Sequence, residues 1–501
     1  MTITDYLYIQ AERIPDRTAF FDSKNSFTYK ELLYTAEAVA TGLLARVCGS
    51  RQPVAVVIDR NVESIAAFMG IAISRNFYVP IDNTQPKKRI LTILEQIQPK
   101  AVILAAKLPE DVRREIEIPV IPYEELADTS PDRALLEKIR KSAMDTDPLY
   151  AICTSGSTGV PKGVLISHRS VMDFIPVFTK TFGFTENDIF GNQAPFDFDV
   201  SVKDIYSALF LGATVYIIPR MCFIMPKLLM DALDEKHVSV IIWAVSAMCV
   251  AAETNVLDYR VPGALKKILF SGEVMPIKML NIWRQAVPDA MYVNLYGPTE
   301  ITCNCMYYIL DREFGLTDKI PLGEVFENEA VYILNDQDQP AAVGETGEIC
   351  VTGTCLAIGY YRNPEKTAAA FVQNPLQSDF PERMYRTGDM AELAPDGQYY
   401  FAARKDFQIK HMGHRIELEE IEIHLGALPG VSRASCLFDA EKNKIVAYYT
   451  GTPDKKEVIA GLKESLPKYM VPNIFIKTDR LPLNKNGKID RQALRKQYEE
   501  Q

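Results

Sequence analysis

The segment 154–163 holds the residues best suited to chemistry. It reads TSGSTGVPKG and directly follows the apolar run 149–153. Its glycines permit positive φ angles and close backbone approach, its hydroxyl side chains can donate to oxygens, and Lys162 adds a positive charge. A mobile surface loop is the alternative, but a flexible linker would not lead through Pro161 and Lys162 into a second apolar run at 164–166. The segment therefore predicts a loop that wraps a polyphosphate, although its spacing is not that of the Walker loop.

The elements around this loop alternate in type. Short runs rich in β-branched residues predict strands at 53–58, 101–104, 214–218, 238–243 and 267–270, and a helical pattern covers 61–74. Such alternation is typical of α/β layers with largely buried strands. From about Glu345 the pattern changes to Gly-rich, strand-like pieces, which predict a β-rich subdomain at the end of a large α/β domain.

Length and composition limit the class of protein. A chain of 501 residues exceeds one hydrophobic core, so two or more domains are expected. The net charge of -10 argues against nucleic-acid binding. The apolar run 205–218 is too short to span a bilayer, so no membrane insertion and a cytoplasmic location are expected. Nine cysteines without a C-x-x-C pair predict buried free thiols and no structural zinc.

Further segments follow the loop in an order that points to one family: 198–204, 294–300, 385–389, 404–406, 413–422 and 483–491. Together with TSGSTGVPKG they resemble the adenylate-forming superfamily, specifically stand-alone amino-acid adenylation domains of nonribosomal peptide synthetases and D-alanine–carrier protein ligases. The resemblance implies an N-terminal AMP-binding domain at 1–403 and a hinge at 404–406, centred on Asp406. It also implies a small mobile C-terminal α+β domain at 407–501. From the residues alone, 404–406 could equally be an ordinary connection between elements.

The resemblance also implies an ATP site. Tyr296 offers a flat face to adenine, Asp389 can accept both ribose hydroxyls, and Arg404 is a second ribose contact. Thr299, Glu300 and Lys488 are the implied catalytic residues: a hydroxyl for the α-phosphate, a Mg²⁺ ligand, and a cation at the substrate carboxylate. The full nucleotide-binding set is Thr154, Ser155, Gly156, Ser157, Thr158, Gly159, Lys162, Asn294, Leu295, Tyr296, Gly297, Asp389 and Arg404. Without the family, the segment around Tyr296 predicts only a turn.

The amino-acid pocket follows from the same resemblance. Asp199 stands where the family places the carboxylate that pairs the substrate ammonium, and the other implied lining residues are Val200, Lys203, Ser246, Leu269, Ser271, Leu295, Cys303 and Asn304. Lys203 beside serines and an asparagine suggests a polar or acidic substrate side chain. An ion pair between Lys203 and Asp199 or Asp204 is an equal alternative, because residues four apart share a helix face.

The C-terminal segments imply a second half-reaction. Gly413 would let a phosphopantetheine arm pass close to the backbone, while Glu419, Glu420 and Glu422 are expected at the start of a helix. No G-G-x-S attachment sequence is found, so a carrier protein acting in trans is expected.

The expected function is activation of an amino acid as aminoacyl-AMP and its transfer to a carrier protein, with ATP and Mg²⁺. D-alanine–carrier protein ligation is an alternative: the segment 192–199 favours it, but those enzymes have an apolar residue at the position of Lys203. An acyl- or aryl-CoA ligase is disfavoured by Asp199 and by the segment 415–418. A catalytically silent binding module is disfavoured because the loop, Glu300, Asp389 and Lys488 occur together. The particular amino acid, its handedness, the carrier and the oligomeric state are left open.

Overall fold

The computed structural model describes residues 1–156, 159–405, 407–440, 442–483 and 489–500. The chain divides into two compact units. The first unit comprises Met1–Asn83, Ile97–Ile152 and Gly163–Lys405, and the second comprises Thr84–Gln96, Cys153–Lys162 and Asp406–Gln501. The second unit therefore contains the predicted phosphate loop as well as the C-terminal part of the chain. Of the residues predicted from the sequence, Ser157, Thr158, Asp406 and Lys488 lie outside the described ranges.

The strands of the described ranges are, in chain order, β1 Thr18–Phe21, β2 Ser26–Thr28, β3 Pro53–Ile58, β4 Phe77–Asp82, β5 Val102–Leu104, β6 Val120–Pro122, β7 Pro148–Thr154, β8 Lys162–Ser167, β9 Ile189–Asn192, β10 Thr214–Ile217, β11 Val240–Ala244, β12 Lys267–Ser271, β13 Met291–Tyr296, β14 Met306–Ile309, β15 Glu324–Val325, β16 Glu329–Leu334, β17 Thr346–Gly353, β18 Gly359–Tyr360, β19 Phe371–Gln373, β20 Arg383–Leu393, β21 Tyr399–Arg404, β22 Gln408–His411, β23 His414–Glu417, β24 Val431–Asp439, β25 Lys444–Gly451 and β26 Ile474–Lys477.

The helices of the same ranges are α1 Thr4–Arg13, α2 Tyr29–Leu44, α3 Val62–Ile73, α4 Lys87–Ile97, α5 Glu110–Arg113, α6 Tyr123–Ala127, α7 Arg133–Ser142, α8 His168–Thr181, α9 Val200–Leu211, α10 Arg220–Ile224, α11 Pro226–Glu235, α12 Val245–Glu253, α13 Val256–Tyr259, α14 Ile277–Ala286, α15 Pro364–Ala370, α16 Leu418–Gly426, α17 Lys455–Lys463 and α18 Arg491–Glu499. Two short 3₁₀ turns cover Thr299–Ile301 and Lys468–Met470. None of the described helices is both long and apolar enough to cross a membrane.

Two large sheets form the α/β part of the first unit. One has the order β15-β14-β13-β12-β11-β9-β10-β1-β2, and the other has the order β18-β8-β7-β4-β3-β5-β6. The strands β9 to β13 pair in parallel, and β11 and β12 are almost wholly buried, as expected for strands covered on both faces. The prediction of an α/β fold is confirmed.

A third sheet of the first unit is antiparallel. Its strands run in the order β16-β17-β20-β19, and β21 pairs with β20. In that pair Asp389 lies opposite Arg404, so the ladder register itself brings these two side chains together. This sheet is the β-rich subdomain that the change of pattern near Glu345 predicts.

The C-terminal part of the second unit is α+β. Strands β22 and β23 form a hairpin whose two turn residues, Met412 and Gly413, both have positive φ, as a type I′ turn requires. Strands β24, β25 and β26 form a second sheet. Ile416, Ile421 and Leu425 pack with apolar side chains of β24, β25 and α17 in one core.

Candidate functional site

The predicted amino-acid pocket is built at one edge of the parallel sheet. The neighbouring strands β11, β12 and β13 end at Ala244, Ser271 and Tyr296, and their register sets Ser271 opposite both Ala244 and Leu295. Ser246 follows β11 by two residues. Because the carboxyl ends of parallel strands share one edge, where open α/β sheets hold their ligands, the sheet gathers Ser246, Ser271 and Leu295 there. Leu269 is wholly buried two residues earlier, on the same face of β12 as Ser271.

Helix α9 supplies the charged residues. Asp199 is its N-cap, and Val200 is its first residue. Lys203, in the first turn, is only 1% exposed, and its Nζ donates a hydrogen bond of 2.8 Å to Asn304 Oδ1. Burial lowers the pKa of Lys203. Thus the structure places Asp199, Lys203 and Asn304 together, although Asn304 is more than a hundred residues from the other two in sequence.

The loop that carries Cys303 and Asn304 has an unusual backbone. Thr302 and Cys303 have φ angles of 56° and 82°, in the left-handed region that non-glycine residues seldom adopt. The Thr302 hydroxyl donates to Cys355 O at 2.7 Å, and Cys303 Sγ donates to Asp199 O at 3.3 Å. These contacts hold a strained segment in place, and strain of this kind clusters at functional sites.

Gly297 allows this loop to pack closely. A Cβ at position 297 would lie 2.4 Å from Asn304 Cα and 2.7 Å from Cys303 O. Both are backbone atoms that cannot rotate away, so glycine is required here for space. The predicted nucleotide segment and the predicted pocket wall are therefore in direct contact.

The ribose pair predicted from the sequence forms a buried cluster. Asp389 is 1% exposed; its Oδ1 forms an ion pair with Arg404, and its Oδ2 accepts a hydrogen bond of 2.6 Å from the Tyr296 hydroxyl. Burial and the Asp389 charge raise the pKa of Tyr296 well above its usual value. Asn294, on the same strand as Tyr296, donates instead to Pro321 O at 2.8 Å. The cluster presents a fixed carboxylate whose lone pairs can accept hydroxyl groups.

Glu300 is the predicted Mg²⁺ ligand, and it lies in the 3₁₀ turn that begins at Thr299. Its side chain is wholly buried, and its Oε1 accepts a hydrogen bond of 2.8 Å from the Tyr360 hydroxyl. Among the described residues, no group of three or more His, Cys, Asp or Glu side chains could hold a metal ion. A single carboxylate fits Mg²⁺ that arrives with substrate phosphates and keeps its waters, because Mg²⁺ seldom uses all-protein cages.

In the second unit, the phosphate loop is held by the segment 415–420. The Ser155 hydroxyl donates to Arg415 O at 2.6 Å and accepts from Glu417 N at 3.3 Å. Gly156 N donates to Glu420 Oε2 at 3.2 Å. A backbone N–H that could bind a phosphate oxygen therefore binds a protein carboxylate in this structure. The hydroxyl of Thr154 is buried and makes no hydrogen bond among the described residues.

Glu420 was expected only as a charge at the start of a helix, and it does lie in the first turn of α16. It is also wholly buried and forms an ion pair with Arg89, which is 6% exposed. Glu422 pairs with Arg491 at 2.6 Å, within the same unit. Arg89, the partner of Glu420, and Tyr360, the partner of Glu300, could not be predicted from the sequence, because neither lies in a segment with a recognisable pattern.

The comparisons with known proteins agree with the fold. The family model of the AMP-binding enzymes matches residues 7–361, more than half of the chain. The chain therefore belongs to the AMP-binding enzymes of the adenylate-forming superfamily, whose members are ligases that use ATP.

Several synthases are similar to this chain over nearly its whole length. Tyrocidine synthase 1 of Brevibacillus parabrevis is 32% identical over 97% of this chain, and bacitracin synthase 1 of Bacillus licheniformis is 32% identical over 98%. The chain spans only 44% and 9% of the length of these two proteins. Among solved structures, an NRPS protein containing adenylation and PCP domains, bound to a vinylsulfonamide inhibitor, has a TM-score of 0.84 at 24% identity. That match covers 99% of this chain and 84% of the other. The fold is therefore that of an adenylation domain.

Proposed function

We propose that this protein activates an amino acid as aminoacyl-AMP and transfers the aminoacyl group to the phosphopantetheine thiol of a carrier protein. The observation that supports this most directly is the position of Asp199. Its carboxylate lies at the start of α9, one helical turn from Lys203, whose partner Asn304 packs against Gly297 just beyond the end of β13. A carboxylate at that edge is suited to a substrate ammonium group.

The remaining residues have roles in the first half-reaction under this proposal. Asp389, fixed by Arg404 and Tyr296, accepts the ribose hydroxyls of ATP. Glu300 binds the Mg²⁺ that accompanies the phosphates, and Thr299 donates to the α-phosphate. Thr154, Ser155, Gly156, Gly159 and Lys162 bind the phosphates from the loop. Ser157 and Thr158, which lie outside the described ranges, belong to the same loop and are proposed to bind the phosphates with it. Lys488, also outside those ranges, is proposed to stabilise charge near the substrate carboxylate and the α-phosphate.

The substrate amino acid and ATP then react by in-line displacement. The substrate carboxylate attacks the α-phosphorus, and pyrophosphate leaves with the electron pair of the bond that breaks. In the second half-reaction the thiol sulfur attacks the carbonyl carbon and AMP leaves. Asp406, which also lies outside the described ranges, is the proposed hinge between domains at 1–403 and 407–501.

Two alternatives differ in substrate. D-Alanine ligation to a carrier protein retains Asp199 but leaves the buried Lys203 without a role. A CoA ligase of acyl or aryl acids needs no carboxylate at position 199.

An exchange assay separates these possibilities. Radiolabelled pyrophosphate is incubated with the protein, ATP, Mg²⁺ and either amino acids of both hands or matched carboxylic acids without an amine. We expect exchange with amino acids only. In Asp199→Asn we expect the kcat/KM for the amino acid to fall by at least about 100-fold, with little change in the KM for ATP. Exchange that needs no amine, or that survives Asp199→Asn unchanged, would contradict the proposal. Loading of a phosphopantetheinylated carrier protein compared with free coenzyme A then tests the second step.

A further inference from the structure

Lys203 carries a charge that the described structure does not neutralise by an ion pair. Its ammonium has three donors and uses one of them, on Asn304 Oδ1. Asn304 is itself buried, and its amide oxygen carries no net charge. An ammonium removed from water and held only by a neutral amide is unfavourable unless an anion compensates it.

The ion pairs that the sequence allowed are not formed. In the described ranges no carboxylate lies within 4.0 Å of the Lys203 ammonium. Asp204 is wholly buried and accepts a hydrogen bond of 2.9 Å from Asn192 Nδ2 instead, while its Oδ1 has no hydrogen-bond partner among the same residues. Burial raises the pKa of Asp204 to about 7.

Asp199 also acts on Lys203 only at longer range, as an electrostatic influence that raises its pKa. Under the proposed function, the ammonium group of the substrate neutralises Asp199. A bound amino acid with a neutral side chain would then leave the Lys203 charge less compensated than before. A side-chain carboxylate would instead restore the balance of charge, because the partly buried Asp199 carboxylate and the buried Lys203 ammonium would each gain one partner.

The surroundings of Lys203 favour the same ligand group. Ser271 and Asn304 are buried polar residues that can donate to a carboxylate, while Cys303 is held by its contact with Asp199 O. The buried methylenes of Lys203 are long enough to make position 203 a wall of the pocket.

We propose that Lys203, oriented by Asn304, is a specificity-determining residue that selects an α-amino acid with a carboxylate side chain. This inference rests on the proposed amino-acid activation. It names the substrate class, and it leaves the length of the acidic side chain to the experiment.

The test compares each acidic amino acid with its own amide. Pyrophosphate exchange is measured for two pairs, aspartate with asparagine and glutamate with glutamine. 2-Aminoadipate and alanine are measured as further substrates, and each amino acid is used as both enantiomers. We expect one acidic amino acid to exceed its amide by at least about 100-fold in kcat/KM. In Lys203→Met we expect that ratio to fall below about 3, mainly through the KM for the amino acid, with the KM for ATP unchanged. Lys180→Met, which removes a surface lysine paired with Glu327, is the matched control and should keep the parent ratio.

The outcomes separate the two proposals. Exchange with neutral amino acids at equal or higher kcat/KM than with acidic ones overturns the role of Lys203 and leaves amino-acid activation standing. Exchange with no amino acid overturns both. If Lys203→Met does not fold, the acid-to-amide ratio of the parent protein still decides, and Lys203→Gln provides a second neutral variant. An unchanged ratio in either folded variant overturns the inference.

Discussion

The carboxylate of Glu420 has two partners in the second unit, and its removal should affect both stability and nucleotide binding. Its Oε1 forms a buried ion pair with Arg89, and its Oε2 accepts the N–H of Gly156 in the phosphate loop. Glu420→Gln keeps the size of the side chain and removes the charge. Arg89→Met removes the other partner and leaves the carboxylate in place.

The magnitudes follow from burial. Removing one partner of a buried ion pair costs about 3–5 kcal/mol, because the other charge stays buried without compensation. Both single variants should therefore destabilise the second unit by about 3 kcal/mol or more. Replacing both residues, as in Arg89→Met with Glu420→Met, should recover most of this loss, since apolar pairs of similar volume often equal a buried ion pair.

The two single variants should differ in their affinity for ATP. If Gly156 N–H binds a phosphate oxygen, as proposed, the Glu420 carboxylate competes with ATP for that donor. Glu420→Gln replaces a charge-assisted hydrogen bond with a neutral one, a difference of about 1 kcal/mol, which corresponds to roughly fivefold tighter ATP binding. Arg89→Met frees the carboxylate for Gly156 and should weaken ATP binding.

Two measurements test this reasoning. Hydrogen exchange of the segments 84–96 and 415–426 reports the local stability of the second unit, and calorimetry gives the Kd for ATP. If both single variants lose less than about 1 kcal/mol of local unfolding free energy, the ion pair between Arg89 and Glu420 is not effectively buried. Equal ATP affinities in Glu420→Gln and Arg89→Met would refute competition for the Gly156 N–H.

Three further outcomes are expected. Gly297→Ala should lower the free energy of unfolding by about 1–3 kcal/mol and impair amino-acid-dependent exchange, because the new Cβ would lie 2.4 Å from a backbone atom. Thermal unfolding measures the loss, and Gly263→Ala, whose Cβ would have its nearest contact at 3.7 Å, is the control. Asp389→Asn should raise the KM for ATP by about 10-fold or more and leave the KM for the amino acid unchanged; steady-state kinetics giving the reverse pattern would exclude a ribose contact. His168 is neutral because burial lowers its pKa to about 4, against 6.5 when unfolded. The unfolded state therefore binds more protons between these values, so stability should fall by up to about 3 kcal/mol from pH 7 to pH 4, and His168→Gln should flatten this slope in denaturant titrations.

The sequence was sufficient for the parts of the fold that have a local pattern. The continuous apolar runs at 53–58 and 240–243 correspond to buried strands of the parallel sheets, since burial on both faces leaves no polar positions. The change to Gly-rich, strand-like pieces near Glu345 is also a local pattern, and it corresponds to the antiparallel sheet.

The partners of the site residues could not be predicted in this way. Arg89 meets Glu420 across more than three hundred residues, and only the tertiary fold brings them together. The choice between an ion pair of Lys203 with Asp199 and a contact to Asn304 also depended on the backbone at 302–303. No helix-spacing rule contains the positive φ angles of that loop.

The contact of Gly297 with residues 303–305 separates the support of the pocket wall from the recognition of the ligand. Main-chain atoms provide the support, and side chains provide the recognition. The close approach in this wall is set by main-chain atoms at the position that a Cβ of residue 297 would occupy, so it does not depend on the side chain at position 304. The side chain at position 304 can therefore be exchanged by mutation without a change in this backbone contact. The scaffold is in this sense evolvable: under the proposed function, ligand preference can change through Lys203 or Asn304, whereas any side chain at position 297 lowers stability.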